Sequence, residues 1–220
     1  MPTIANKPQS TFTLAPAGTH VGRIFKFMNL GTSIQLFQGQ PKPYPDTLVN
    51  FSFELPLELN KFTVKNPDGT EEEVEKPFAI SREFTLSMGS KSNLRKFVEG
   101  VIGTKLDDEE AYAFDIEQLV GMACLVTINH KKSKDGTRTY AEVTSTAPLM
   151  KGMEVPAQFN ESKILDVKTM SLEEISALPE FLRKKMEVSD EYKARFGGHD
   201  LDGEDAPPED EINPDDIPFS

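Results

Sequence analysis

The sequence predicts a mainly β protein: five strands and one helix in the order β-β-β-α-β-β, closing as a five-stranded barrel, then a short helical extension and a disordered acidic tail. Three observations carry this expectation. Apolar residues alternate through the first third of the chain, one run with i, i+3, i+4, i+7 spacing follows, and an Asp-Gly turn joins two further β-rich segments. A length of 220 residues gives room for one ordinary domain with appendages, and a hydrophobic content of 37% is enough for a core.

Residues 1–19 are polar, carry three prolines and read as an N-terminal arm. The first strand, "HVGRIFKFMNLGTSIQL", is rich in β-branched and aromatic residues and bends at Gly31. In "TLVNFSFEL", Val49, Phe51, Phe53 and Leu55 fall on one face and Leu48, Asn50, Ser52 and Glu54 on the other, the pattern of a half-buried strand. After an excursion containing the turn "NPDG", "FAISREFTLSM" repeats the alternation through Phe78, Ile80, Phe84 and Leu86, with Arg82 interrupting the apolar face.

Leu94, Phe97, Val98, Val101 and Ile102 share one helical face, with Ser90 or Ser92 as cap and Gly103 as terminator. Two short helical stretches follow, and in the second, "DIEQLVG", Asp115 and Gln118 have capping-box spacing. "MACLVTINHKK", the turn "SKDG" and "TRTYAEVTST" form a hairpin. This order matches the Greek-key barrel called the OB-fold, whose helix between the third and fourth strands plugs the barrel bottom. Beyond residue 150 the pattern turns helical: Ser171 with Glu174, Pro179 before "EFLRKKM", and Ser189 before "DEYKARF" are start signals. The expected organisation is an arm at 1–19, an OB-fold domain at 20–150, a helical extension at 151–198 and an acidic tail at 199–220.

The net charge of −12 is mostly the tail's, since nine carboxylates and no lysine or arginine lie between Asp200 and Asp216. The rest has 27 acids against 24 bases and is free to carry a basic face. The tail is too acidic and Pro-rich to bury enough apolar surface to fold alone. No run approaches the roughly 18 apolar residues of a membrane span, and "MPTIANKPQS" lacks the regions of a signal peptide, so a cytoplasmic location and no membrane partner are expected. Cys124, between apolar neighbours, reads as a buried inert thiol. There is no phosphate-cradling Gly-rich loop, no His pair at metal spacing and no nucleophile elbow, so no catalytic residue, metal or cofactor is expected and the chain does not read as an enzyme. His20, His130 and His199 are scattered. The run "DDEE" at 107–110 could hold Mg²⁺ as nuclease carboxylates do, but acids at a helix start also answer the macrodipole.

A binding surface is the other reading. Unpaired strands are held by cations along the phosphates and aromatic faces under the bases. "QLFQGQPKPYPDT" offers Phe37, Lys42 and Tyr44; "HKKSKDGTRTY" offers Lys131, Lys132, Lys134, Arg138 and Tyr140. Arg23, Lys26 and Arg82 come from the strands, and Lys91 and Arg95 from the helix edge. Phe25, Phe27, Phe51, Phe53 and Phe84 are expected in the core instead.

The ending "PDDIPFS" resembles the tip of bacterial single-stranded DNA-binding proteins. "PAGTHVGRIFKFMNLGT", "DIEQLVGMACLVTINHKKSKDGTRTYAEV" and "LPEFLRKKMEVSDEYKARF" are similar to bacteriophage-encoded single-stranded DNA-binding proteins with one OB-fold. The resemblance implies sequence-nonspecific single-strand binding in phage DNA replication, recombination or repair. It also implies recruitment of replication or recombination proteins through Asp215, Asp216, Ile217, Pro218 and Phe219. Ser220 displaces the terminal carboxylate by one residue from its place in that tip. A homo-oligomer is compatible with the sequence, and a DNA-mimic inhibitor and a metal-dependent nuclease stand as alternatives.

Overall fold

Gly18–Ser33 form β1, a 16-residue strand in the structure, a computed structural model that describes residues 13–65, 69–133 and 136–197. Register irregularities at Ile24/Lys26 and Asn29/Gly31 bend β1, so that Ile24 and Phe27 both face one core while Met28 and Leu30 face another. The loop after it carries a minimal hairpin, β2 (Leu36–Phe37) and β3 (Gln40–Pro41). β4 (Asp46–Lys65) and β5 (Glu71–Thr85) follow as long antiparallel partners.

The excursion expected between these two strands is instead their continuation as a two-stranded ribbon, Leu59–Lys65 against Glu71–Pro77. Its register shifts between Leu55 and Leu59, where Pro56 has no N–H to give the ladder. Helix α1 (Asn93–Ile102) is capped by the Ser92 side chain, which accepts from Arg95 N, and closed by Gly103 in the left-handed conformation. Gly100 lets α1 pack on the sheet: a Cβ there would sit 2.5 Å from the Thr146 carbonyl oxygen. Next come α2 (Asp108–Ala113), a 3-10 turn at Ile116–Leu119, and the hairpin of β6 (Ala123–Lys132) with β7 (Thr139–Ala147). In the 3-10 turn Asp115 caps Glu117 N.

The main sheet runs β5-β4-β1-β6-β7 and is strongly curled into a half-barrel. Its concave core holds Ile24, Phe27, Val49, Phe51, Phe53, Leu55, Phe78, Ile80, Phe84, Cys124, Val126, Ile128 and Val143, with Leu94, Phe97, Val98 and Val101 of α1 across one end. Phe97 sits at the centre of an aromatic cluster, 4.8 Å from Phe84 and 5.0 Å from Phe51 between ring centroids. The phenylalanines at 27, 51, 53 and 84 are therefore core, and Phe25 is half-buried. Burial pushes the Cys124 thiol up to about 12, consistent with an inert position.

β4 departs from the half-buried pattern. Leu48, Asn50, Ser52 and Glu54 are buried as well, because the C-terminal segment covers the outer face. β8 (Lys163–Asp166) pairs in parallel with Lys26–Asn29 of β1, on the edge that β6 leaves after Arg23. α3 (Leu172–Ser176), α4 (Glu180–Glu187) and α5 (Asp190–Phe196) then close a second core in which Ile175, Leu182, Met186 and Tyr192 meet Met28, Leu30 and Leu48. Among the described residues no helix is long and apolar enough to cross a membrane.

Candidate functional site

The chain leaving β1 turns at Gln38 and Gly39, both with positive φ, and this tight turn holds Phe37 64% exposed. Tyr44, in the same Pro-rich loop, is 77% exposed. The loop folds back on itself: Lys42 N donates to Gln35 O at 2.8 Å, and the Lys42 ammonium pairs with Asp46. Opposite stand the end of β5 and the turn into α1. Ser92 there accepts from Arg95 N and donates its hydroxyl proton to Ser87 O at 2.6 Å, which fixes the direction of the first turn of α1.

Between loop and turn lies an open groove of about 470 Å³ lined by the cations Lys42, Arg82 and Lys91 and by Asp46, and by Glu83, which alternation along β5 turns to the face opposite Arg82. Arg82 is cross-strand to Phe51 and so shares the concave face; its guanidinium stands 4.9 Å from the centroid of the Phe84 ring. Burial pulls the Arg82 pKa below the ordinary arginine value, and the carboxylate of Glu142 on β7 partly opposes this. The start of α1 adds a positive helix end to the same wall. Three of the cations expected from the sequence are thereby brought together from three separate segments.

The β6–β7 hairpin places Lys131, Lys132 and Arg138 at the surface and leaves Tyr140 half-buried. Lys131 Nζ is 3.7 Å from Glu142, the carboxylate that also acts on Arg82. Lys134 and the tail residues Asp215, Asp216, Ile217, Pro218 and Phe219 lie outside the described residues.

Three expected cations are placed elsewhere. Arg95 is 7% exposed; it donates to Glu99, Asp108, the Met88 carbonyl and the Leu106 carbonyl, so it staples α1 to α2. Arg23 lies on the outer face and donates to Gly121 O and to Pro156 O at 2.9 Å. Lys26 is beside Ser52 and opposite Lys163 of β8, also on the outer face, and burial together with Lys163 lowers its pKa. The acid run at 107–110 is accounted for within the fold: Asp107 and Glu110 form a capping box and Asp108 pairs with Arg95. Among the described residues no group of three or more His, Cys, Asp or Glu side chains is placed to hold a metal ion.

Asp46 and Glu83 are not among the site residues expected from the sequence. Lys42 and Asp46 have the i, i+4 spacing of an ion pair, a signal that was available. Glu83 carries no such signal, because its partner is Lys185, 102 residues away. No protein-family model matches the chain, and no curated protein matches it.

Proposed function

We propose that the chain is a sequence-nonspecific single-stranded DNA-binding protein on an OB-fold barrel, acting in phage DNA replication, recombination or repair. The observation that carries this reading is the convergence of Lys42, Arg82 and Lys91 on one groove, next to a loop that exposes Phe37 and Tyr44. An OB barrel binds strands along its second and third strands, between the loop after the first strand and the hairpin of the fourth and fifth. Here the second and third long strands are β4 and β5, the loop is 34–45 and the hairpin is β6–β7. Phosphates would lie along the cations and bases against the two exposed rings, each stack contributing ~1–3 kcal/mol. No reaction is catalysed in this reading. The resemblance of "PDDIPFS" to a known recruitment tip supports a second role, in which the tail brings partner enzymes to the coated strand.

Titration of fluorescent oligothymidine and of duplex at several salt concentrations tests the reading. Single strands are expected to bind in preference to duplex, with log K falling by about 0.7 per log unit of salt for each phosphate neutralised. Arg82→Ala and Lys91→Ala are each expected to reduce that slope by about one phosphate contact. Failure to bind oligonucleotides of any length at low ionic strength would favour the DNA-mimic alternative, and cleavage in the presence of Mg²⁺ the nuclease.

A further inference from the structure

Lys26 stands in the middle of a polar row on the outer face of the sheet. It pairs with Ser52 of β4 on one side and with Lys163 of β8 on the other, and Ser52 pairs in turn with Ser81 of β5. Register partners point to the same face, and adjacent strands lie ~4.8 Å apart, so one small group beside Lys26 is in reach of both Ser52 and Lys163. Ser52 is 6% exposed, and Asn50, diagonal to Lys26 on the same face, is 4% exposed. Neither side chain is hydrogen-bonded among the described residues, and Asn50 Oδ1 is buried without a partner.

The row carries two positive charges and no carboxylate pairs with either among the described residues. The two carboxylates nearest along the outer face are both engaged. Glu54 accepts from Phe159 N, Asn160 N and the Asn160 side chain, and Glu83 accepts from Lys185 Nζ with both oxygens, at 2.8 and 2.9 Å. The Phe25 ring, 5.8 Å from Lys26 Nζ, is at the outer limit of a cation–π contact and leaves the charge unneutralised. Burial, and then the like charge of Lys163, lower the Lys26 pKa, as expected of an ammonium without a counter-charge.

Buried polar groups without partners are costly, and two adjacent cations add repulsion. Water would answer the hydrogen bonds but not the charge, whereas a tetrahedral oxyanion brings negative charge and several acceptors at once. The hydroxyls donate to such a group, and a half-turn of the Asn50 amide presents its NH₂. We propose that Lys26, Lys163 and Ser52 form an oxyanion site that takes a phosphate group, with Asn50 and Ser81 at its margins. The site is reached past Lys163, which is exposed, and lies on the face opposite Arg82. It stands apart from the groove, and its phosphate is either free in solution or part of a strand's backbone.

Inorganic phosphate is the first probe. Amide chemical shifts of the full chain are followed by NMR while phosphate replaces chloride at constant ionic strength, with thermal unfolding of each variant as a folding control. The amides of Lys26, Ser52 and Lys163 are expected to shift saturably in the wild type. Lys26→Met, which keeps the apolar stem and removes the charge, should weaken that response about tenfold. Lys163→Met, at an exposed position, should weaken it about two- to threefold. No saturable shift along this row, or equal affinity in the wild type and both variants, would overturn the proposal. Labelled oligothymidine then separates the two sources: weaker strand binding in both variants assigns the site to a backbone phosphate, and unchanged strand binding assigns it to free phosphate. A chain that binds phosphate here but no oligonucleotide keeps this site and loses the single-strand reading.

Discussion

Gly31 has φ +90°, and a Cβ built on it would lie 2.6 Å from the Ser189 Cβ and 2.8 Å from a Glu191 carboxylate oxygen. An L side chain there is strained in its backbone and drives α5 off β1 together. Gly31→Ala is expected to destabilise the protein by roughly 2 kcal/mol or more, read as a lower urea midpoint at unchanged slope; an unchanged midpoint would contradict the packing. The bend at Gly31 is legible in the sequence because a glycine interrupts a β-rich run, but its contact with α5 is not, because Glu191 is 159 residues from Thr32. The arginines divide on the same ground. Arg82 stands out on an apolar face and reaches the groove, whereas Arg95 looks like a surface helix residue until Asp108 and the Leu106 carbonyl fold back onto it.

At the scale of elements, periodicity reads strand and helix type well and reads burial poorly. α1 matches its pattern from the Ser92 cap to Gly103, since both signals are local. β4 does not: its alternation marks one face as polar, yet Asn50, Ser52 and Glu54 are buried because a later segment covers them. Glu54 tolerates this by accepting from Phe159 N, Asn160 N and the Asn160 side chain at 2.8 to 3.0 Å. β8 is four residues long and pairs with a strand about 137 positions upstream, so no window of sequence reveals it. The helices that follow belong to a core of their own. Met186 is fully buried there, and Met186→Ala is expected to cost about 2–5 kcal/mol in urea unfolding. A loss below ~1 kcal/mol would show that this second core contributes little.

For the whole molecule, the order of strands about one central helix is readable and the degree of closure is not. Closure depends on β5 and β7 approaching each other, a contact between segments that no local pattern links. Acid stability follows from where the carboxylates end up. Burial on its own would raise the Glu191 pKa, but the Thr32 N–H, the Glu191 backbone N–H, the Thr32 hydroxyl and Lys168 together hold it below the ordinary glutamate range. A carboxyl depressed in the folded state stabilises fully above its unfolded value, about 4.3, and loses that contribution as pH falls through the folded one. Thermal midpoints taken from about pH 6 down to about pH 3 should therefore fall in the wild type and fall less steeply in Glu191→Gln. Parallel curves would show that this latch does not couple to folding.

The parallel pairing of β8 with β1 also has a meaning for synthesis. The free edge of β1 at Lys26–Asn29 is among the first parts of the sheet to leave the ribosome, and its partner at Lys163–Asp166 among the last. Through most of translation that stretch presents unsatisfied peptide groups to neighbouring nascent chains. The late strand β8 thus determines when, as well as how, this edge of the half-barrel becomes safe from sticking to its own copies.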